Sequence, residues 1–499
     1  MRKGRLFTTL ALTAALTASV FTPAAVPADD ADYELVIELM TFGPTPADIS
    51  EVEAAISEIT SEKIGATVKF LPMSVADHAT KVNLLAEGGE KVDLIMAGIT
   101  GDPATLHSNG VLEDISGLLD EYAPNIVEDM GQLLDAATFD GGIYAIPAVK
   151  YPAEQLNLLY NKQMAEEYGI EIPESLDSYE AWDAFFEEAY SKLPEEIRVF
   201  TLGDGSGSIT LNWDSRYDSL GDTSYLAYGV LQDVENGTEI VNWYETEKYR
   251  TMLEKRHEWY EKGYVVPDSM TNGYSTLDCM AAGTCFSFQN AFKVDCNEVT
   301  LGRNCGGIEL GYIPLGEPII SGSSTVMMSW GVPVTSEKPE KAVQFLSLLY
   351  EDADLANICN YGIEGKNYVK VSDHIIEYPE GMNAMTNGWG GFINWFGDND
   401  NVYQLAPNTE EYYEHLEDYG LEKALVSNAL GYTFDTSSVK TQLAALTSVI
   451  DTMKPALECG LVDVETELPA FIEAMKGAGI EEIIAENQRQ FDEWLAAKK

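Results

Sequence analysis

Short apolar runs alternate, near the start of the chain, with segments whose apolar residues recur every three or four positions. Buried strands produce runs of the first kind, and amphipathic helices produce the second spacing. The strand-like runs lie at 33–40, 66–71 and 92–96, and the helical segments lie at 48–64 and 78–86. This order of strand, helix, strand, helix and strand predicts an α/β fold with a parallel sheet covered by helices on both faces.

The rest of the chain continues this pattern and adds a helical end. Its predicted strands are a short strand after a tight turn within 141–147 and strands at 156–160 and 326–328. Its predicted helices lie at 162–168, at 179–192, after a cap at Thr335 or Ser336, and through most of the region after about 418. Pro339 favours a helix start, because a proline in the first helical turn has no N–H to leave unpaired. The sequence contains no internal repeat and no low-complexity linker.

The N-terminal stretch is typical of a secretory signal peptide. Residues 2–5 include three basic side chains, and residues 6–21 form an apolar run that is too short for a good membrane span. Residues 26–28 (Val-Pro-Ala) fit a cleavage site of small residues. We therefore predict that residues 1–28 are a signal peptide and that the mature protein is extracellular or held at the cell surface.

The same stretch contains a near match to a lipoprotein signal. Leu16-Thr17-Ala18 has the required shape, but the signal needs cysteine at the next position, and that position is Ser19. A serine hydroxyl cannot form the thioether that holds the lipid. We therefore predict no N-terminal lipid anchor.

Length and charge narrow the class of protein. About 470 residues remain after the signal peptide, which is too many for one compact core and predicts two large lobes. The net charge is −52, from 82 acidic and 30 basic residues spread along the chain. Such a chain repels nucleic acid, so no nucleic-acid partner is expected. A solvated acidic surface accounts for the charge more simply than selection for a cationic ligand, although the second interpretation stays open.

Six cysteines lie in the second half of the chain, at 279, 285, 296, 305, 359 and 459. An even number in an exported protein permits disulfides, and Cys279 with Cys285 and Cys296 with Cys305 are the obvious local pairs. Buried thiols are the alternative. The sequence has no Cys-x-x-Cys pair and no His at zinc-like spacing, so neither a metal nor a cofactor is expected.

Several motifs follow one another in an order that resembles a known family. They are G-G-I-Y-A-I-P at 141–147, L-L-Y-N-K at 158–162, S-Y-E-A-W at 178–182, and a later block that starts W-G-V-P-V-T-S at 330 and ends Y-G-I-E-G-K-N-Y at 368. Together they resemble bacterial extracellular solute-binding proteins, family 1. The later block is most similar to large lipoprotein members from Gram-positive bacteria, and the resemblance covers nearly the whole mature chain.

This resemblance implies a periplasmic-binding-protein-like fold, with two α/β lobes joined by hinge strands and a helical C-terminal region. By analogy, lobe one comprises 33–147 and 312–362, and lobe two comprises 148–311 and 363–499. In the family the ligand sits in the inter-lobe cleft, and the lobes close over it. The family passes its small-molecule ligand to an ABC permease in the membrane, so that permease is the expected partner of a monomeric receptor.

Candidate ligand-binding residues follow from the chemistry of sugars, which present apolar C–H faces and many hydroxyls. Such ligands need aromatic platforms beside side chains that make paired hydrogen bonds. Residues of these types lie in glycine-rich or polar loops, at the predicted crossings and at strand ends: Thr41, Phe42, Lys150, Tyr151, Trp213, Asp214, Arg216, Gln289, Asn290, Trp330, Trp389, Asn394 and Trp395.

These candidates also have purely structural interpretations. Trp389 and Trp395 fit core packing as well as ligand stacking, and Asp214 with Arg216 fits a surface ion pair. Gln289 and its neighbour Asn290 lie in an apolar, strand-like run, where buried amides need partners.

Common catalytic motifs do not match. His257-Glu258 lacks the second His of a zinc-protease helix, and the sequence has no G-x-S-x-G elbow. Carboxylate pairs abound in so acidic a chain, so counting them does not decide for or against a glycosidase. The leading prediction is an oligosaccharide-binding receptor that is not an enzyme. The alternatives are an exported carbohydrate-active enzyme and a receptor for peptides or basic solutes.

Overall fold

The computed structural model of the chain describes residues 32–41, 44–75, 77–98, 103–201, 216–220, 222, 226–267, 275–294, 296–383, 386–389 and 395–497. The predicted signal peptide lies outside these residues. Within them, no helix combines the length and the apolar character that a membrane crossing requires.

The first part of the chain forms the predicted α/β layer. Its strands are β1 (Tyr33–Thr41), β2 (Ala66–Ser74), β3 (Ile95–Met96), β4 (Thr138–Phe139), β5 (Gly142–Ile143) and β6 (Ala145–Pro147). Its helices are α1 (Ile49–Ile64), α2 (His78–Gly88), α3 (Pro103–Ser108), α4 (Ser116–Tyr122) and α5 (Pro124–Met130). β1 and β2 run parallel over their full length, and Ile37 forms a parallel bridge to Leu94 beside β3. The predicted order of elements is confirmed, although the third strand is shorter than expected.

Burial explains the apolar character of β1. The side chains of Leu35, Ile37 and Leu39 are at most 1% exposed, because α1 and the later helices cover the sheet. The helix α1 ends at Gly65, whose φ of 59° is a left-handed conformation that disfavours any residue with a Cβ.

The second part of the chain forms another sheet with its own helices. Its strands are β7 (Gln155–Asn161), β8 (Arg198–Thr201), β9 (Val230–Leu231), β10 (Ile240–Val241), β11 (Cys285–Phe292) and β12 (Leu310–Pro314). Its helices are α6 (Lys162–Tyr168), α7 (Tyr179–Lys192), α8 (Glu247–Glu261), α9 (Thr276–Ala281) and α10 (Glu298–Asn304). The sheet has the order β12-β7-β11-β8, and β9 and β10 form a separate antiparallel ribbon. The predicted helices at 162–168 and 179–192 are confirmed over their full length.

The last part of the chain crosses back and ends in helices. Its strands are β13 (Ile319–Ile320), β14 (Ser329–Gly331), β15 (Val369–Lys370), β16 (Ile375–Glu377), β17 (Gln404–Leu405) and β18 (Leu425–Val426). Its helices are α11 (Gly322–Val326), α12 (Pro339–Glu351), α13 (Ala353–Tyr361), α14 (Glu410–Glu414), α15 (Lys440–Glu458), α16 (Val464–Ala478) and α17 (Ile480–Ala497). The predicted position of Pro339 in the first turn of α12 and the helical end of the chain are confirmed. The cap predicted at Thr335 or Ser336 is wrong, because the N-cap is Lys338 and no side chain caps the helix.

The predicted strand at 326–328 is wrong. The helix α11 ends at Val326, and the next strand, β14, begins only at Ser329. The reason lies at the start of the helix, where Ser321 and Ser324 form a reciprocal capping box that stabilises a helical turn.

Packing differs at two places from the lobe boundaries that the resemblance implies. Leu315 packs against the second sheet, although the analogy assigns 312–362 to lobe one. Trp389 packs in the core of the first sheet beside Phe70 of β2, although the analogy assigns 363–499 to lobe two. Large apolar side chains that follow α13 pack in the core of the first lobe. This part of the chain therefore contributes to the first lobe beyond residue 362, where the analogy ends that lobe. The remaining division into lobes stays a prediction.

The cysteines carry thiols and form no disulfides, so the predicted local pairs are wrong and the alternative of thiols is confirmed. Five of the six are buried, and burial raises the pKa of Cys305 to about 11. In the described part of the chain, no three His, Cys, Asp or Glu side chains converge as a metal site.

Candidate ligand-binding cleft

A cavity of about 580 Å³ lies where the chain crosses between the first core and the second sheet. This volume is within the range of small-molecule sites. Most of its lining comes from five segments, at 149–156, 216–227, 276–277, 289–296 and 319–328. The first and last of these are the two crossing segments, so the cavity lies at the expected hinge.

The two crossing segments are tied together by their backbones. Glu154 and Ile319 exchange N–H to carbonyl hydrogen bonds of 2.9 and 3.0 Å, and the N–H of Ala148 donates to the carbonyl of Met328 at 2.7 Å. Tyr151 and Met327 line the cavity from the two segments. A ligand that contacts both residues therefore binds at the hinge itself.

The strand β11 supplies the predicted amides. Its position between β7 and β8 fixes the backbone on both sides, and Gln289 pairs in register with Leu158 of β7. Gln289, Asn290 and Ala291 line the cavity at the end of the strand. The carboxamide of Asn290 carries both a donor and an acceptor, so it can pair with a ligand hydroxyl.

Arg216 provides a buried cation beside the first crossing segment. Its Nη2 donates to the carbonyl of Glu154 at 3.3 Å, whereas its buried Nη1 has no hydrogen-bond partner among the residues that the structure describes. Burial lowers the pKa of Arg216 to about 10, against the opposing charges of Glu154 and Glu317. An acceptor oxygen on a ligand would satisfy Nη1 and offset part of the cost of this burial.

Lys150 and Tyr151 are held by a loop that follows the first core. The Lys150 ammonium lies 2.7 Å from Asp400 and 3.3 Å from Asp398, and the Tyr151 hydroxyl donates to Asp400 at 2.7 Å. Burial opposes protonation of Lys150, but the hydrogen bond to Asp400 and the charge of Asp398 raise its pKa overall. Gly420 lies against the Tyr151 ring, where a Cβ would come within 3.2 Å. We call this set of contacts the aspartate clasp. It orients the Tyr151 ring, which lines the cavity, whereas Lys150 does not line it.

Sequence reasoning missed a cluster of hydroxyls on the second crossing segment. The Ser321 and Ser323 hydroxyls are 2.9 Å apart, and the Ser219 hydroxyl lies 3.3 Å from that of Ser323 and donates to the carbonyl of Asp222 at 2.9 Å. Ser219, Asp222, Ser321 and Ser323 all line the cavity. The run S-G-S-S-T at 321–325 was the available signal, but short hydroxyl side chains are common in surface loops and helix caps and do not by themselves indicate a site.

A charged pair in the lining was missed as well. The Lys293 ammonium lies 2.6 Å from a carboxylate oxygen of Glu154 and joins β11 to the first crossing segment. Charged side chains are so frequent in this chain that neither residue stands out in the sequence. Only the fold brings them together.

Three predicted tryptophans lie in the first core and do not line this cavity. Trp389 is 0% exposed and donates its indole N–H to the carbonyl of Cys359 at 3.1 Å. Trp330 is 3% exposed and donates to the carbonyl of Trp395, which is 8% exposed. Each ring is enclosed by other apolar side chains, which favours the packing interpretation. Whether any of these tryptophans also contacts a ligand stays a prediction.

The remaining predicted residues divide into two groups. Thr41 is buried at the end of β1, where its hydroxyl donates to the carbonyl of Met73 at 3.3 Å, away from the cavity lining. Phe42, Trp213, Asp214 and Asn394 lie outside the described residues. Their part in the site stays a prediction.

Proteins of known role share this architecture. A carbohydrate ABC transporter substrate-binding protein of Streptococcus pneumoniae serotype 4 is 26% identical over 95% of this chain and 93% of its own length. The crystal structure of the N-glycan transport solute binding protein NgtS from Streptococcus pneumoniae has a TM-score of 0.80 at 24% identity, covering 94% of this chain and 100% of that chain. NgtS in complex with Man5GlcNAc has a TM-score of 0.70, with the same identity and coverage. At this identity the structural matches show a shared fold.

Two family models match the sequence. One, described as a domain of unknown function, matches residues 428–496. The other, described as bacterial extracellular solute-binding protein, matches residues 54–365, which is more than half of the chain. This protein therefore belongs to the bacterial extracellular solute-binding proteins.

Proposed function

We propose that this protein is the exported substrate-binding receptor of an ABC importer and that it binds an oligosaccharide in the hinge cavity. The observation that carries this proposal is the lining itself. Tyr151 supplies an aromatic face, Arg216 supplies a buried N–H group with no partner among the described residues, Asn290 supplies a carboxamide, and Ser321 and Ser323 supply hydroxyls. Aromatic faces beside convergent polar groups match the two surfaces that a sugar presents.

The relatives support the ligand class. The name of the pneumococcal relative describes a carbohydrate importer, and two NgtS structures contain Man5GlcNAc and Man1GlcNAc. We extend this ligand class to the present chain, together with the partnership with a membrane permease. Binding and release, without bond cleavage, are the whole of the proposed activity.

The N-terminal stretch supports the proposed location. Removal of residues 1–28 would release a mature chain outside the cytoplasm, as the family name requires. Because Ser19 replaces the cysteine of the lipoprotein signal, the proposal includes no lipid at this end.

Calorimetric titration of the purified chain with Man5GlcNAc and a panel of other soluble oligosaccharides tests this function. We expect saturable binding, and we expect Arg216→Gln to weaken it about 10-fold, or about 1.4 kcal/mol, because Nη1 is removed from the cavity. Arg489→Gln is the matched control, since Arg489 pairs with Glu486 and Glu493 on its own exposed helix face, away from the cavity lining.

Two results would contradict the proposal. Binding of peptides or polyamines with no response to any glycan would move the protein to another ligand class. Cleavage products after incubation with the oligosaccharides, detected by mass spectrometry, would identify an enzyme instead of a receptor.

A further inference from the structure

The C-terminal helices form a core of their own with an earlier part of the chain. Helices α15, α16 and α17 bury apolar side chains against α8 and against the ribbon of β9 and β10. This helical unit coincides with residues 428–496, the segment matched by the domain of unknown function. No residue of 428–496 is among those that line the hinge cavity.

The helix α17 is bonded directly to the ribbon. The side chain of Gln488 accepts the N–H of Ile240 at 2.7 Å and donates to the carbonyl of Thr238 at 2.9 Å. At the start of the helical unit, the Asn428 side chain donates to the carbonyl of Gly237 at 2.9 Å. These three hydrogen bonds fix β10 and the turn before it to the helical unit.

The ribbon connects the helical unit to the cavity lining through backbone pairing. Ile240 of β10 is the register partner of Leu231 in β9. Leu231 in turn exchanges two backbone hydrogen bonds with Asp218, both of 2.9 Å. A short three-stranded ladder therefore runs from α17 to Asp218, which is itself fully buried.

The residues beside Asp218 form one side of the cavity. Tyr217, Ser219, Asp222 and Ala227 line it, and we call them the third wall. The Asp222 carboxylate accepts the N–H groups of Ala227 and its neighbour Leu226, each at 3.1 Å, which joins two of the lining residues. The hydroxyls of Ser219 and Ser323 are 3.3 Å apart, which joins the wall to α11.

We propose that residues 428–496 hold the third wall in place and thereby set the affinity of the hinge cavity without touching the ligand. This inference rests on the proposed function for the identity of the ligand. It assigns a role to the segment of unknown function: a buttress that positions binding residues from outside the site. Gln488 is then a positioning residue.

A matched pair of glutamines on α17 tests the proposal. Gln488 bonds to the ribbon through two backbone groups, and Gln490 bonds in the same way to the backbone of Asp435 within its own unit, at 2.9 and 3.0 Å. We expect Gln488→Ala combined with Asn428→Ala to weaken binding of Man5GlcNAc about fivefold to 10-fold, as the loss of about 1 kcal/mol or more of positioning energy implies. Gln490→Ala should lower the Tm about as much as the double variant does, but its Kd should stay within about twofold of the value for the unmodified protein.

Amide hydrogen exchange distinguishes positioning of the third wall from a general effect on stability. Exchange at residues 217–231 should speed up in the Gln488→Ala and Asn428→Ala variant and stay unchanged in Gln490→Ala. Equal Kd values and equal exchange in the two variants would overturn the inference. If the unmodified chain binds no oligosaccharide, the proposed function fails, and the exchange measurement alone then decides whether the helical unit holds the wall.

Discussion

Arg216 is a guanidinium whose burial is only partly compensated within the described structure. One terminal nitrogen donates to the Glu154 carbonyl, and the other has no partner among the described residues. A buried donor without an acceptor costs about 1–3 kcal/mol. A ligand oxygen that reaches Nη1 would recover part of this cost on binding, so the same residue lowers the stability of the empty receptor and raises its affinity.

Trp389 represents the opposite case, a large side chain that serves the fold. We expect Trp389→Leu to lower the free energy of unfolding by about 3 kcal/mol, because it leaves a cavity beside Phe70 and removes the hydrogen bond to Cys359. The Kd for Man5GlcNAc should stay within about twofold, since the ring lies outside the cavity lining. Urea denaturation and calorimetry measure the two quantities.

The variant Arg216→Gln is the natural counterpart, because it should weaken binding without lowering the stability of the empty receptor. If Trp389→Leu instead weakened binding and kept the stability of the unmodified protein, the stacking interpretation drawn from the glycine-rich sequence around Trp389 would return.

At the level of elements, the crossing segments carry both the hinge and the site. Their mutual backbone hydrogen bonds at Glu154 and Ile319 keep them together, and the aspartate clasp fixes the first of them to the loop at 398–400. Two segments that are paired in this way move as a unit. A ligand bound between them therefore contacts the parts of the chain whose geometry changes when a hinge closes.

The aspartate clasp can be tested by removing one charge. Asp400→Asn leaves the Lys150 ammonium with Asp398 alone and weakens the acceptor for Tyr151, so we expect a loss of about 1 kcal/mol in the free energy of unfolding. This figure allows for the partial exposure of Asp400. Asp77→Asn is the control, because the Asp77–Lys81 pair is exposed on a helix and should contribute about 0.3 kcal/mol. Urea denaturation at neutral pH measures both, and equal losses would show that the clasp is no more than a surface ion pair.

At the level of the whole molecule, a cavity bounded by two sheets and a third wall predicts a change of shape on binding. Small-angle X-ray scattering should show a smaller radius of gyration when Man5GlcNAc is added, because closure brings the lobes together. The measurement belongs at about 0.15 M salt, where the Debye length is about 8 Å and repulsion within a chain of net charge −52 is screened. An unchanged radius at saturating ligand would contradict hinge closure, and Arg216→Gln should need more ligand for the same change.

The local elements were largely predictable from the sequence. Helices α6 and α7 match their predicted bounds, because each has a helical apolar pattern and an N-cap, Asn161 or Ser178, whose side chain accepts a backbone N–H. The strand predicted at 326–328 failed, because its apolar residues continue a turn that starts at the Ser321 cap. Short apolar runs fit either structure, and the capping residues decide.

The candidate site was predictable only in part. Tyr151, Arg216, Gln289 and Asn290 line the cavity, and they were found through their positions beside crossings, in a polar loop and on a strand. Trp389 lies in the first core and not in the cavity lining, and the sequence could not show this, because a tryptophan beside glycines has the same local sequence whether it faces a ligand or a core. Ser219 and Asp222 were missed, since their role depends on a ladder to a helix more than 200 residues later.

The sequence by itself determined the alternation of strands and helices, the acidic surface and the resemblance to solute-binding proteins, because periodicity, charge and motif order are local or additive properties of the chain. The tertiary structure decided which polar groups share the cavity, which tryptophans are buried, and which part of the chain the C-terminal helices support. Those outcomes depend on contacts between residues far apart in sequence, and such contacts exist only after each apolar face has found the surface that covers it.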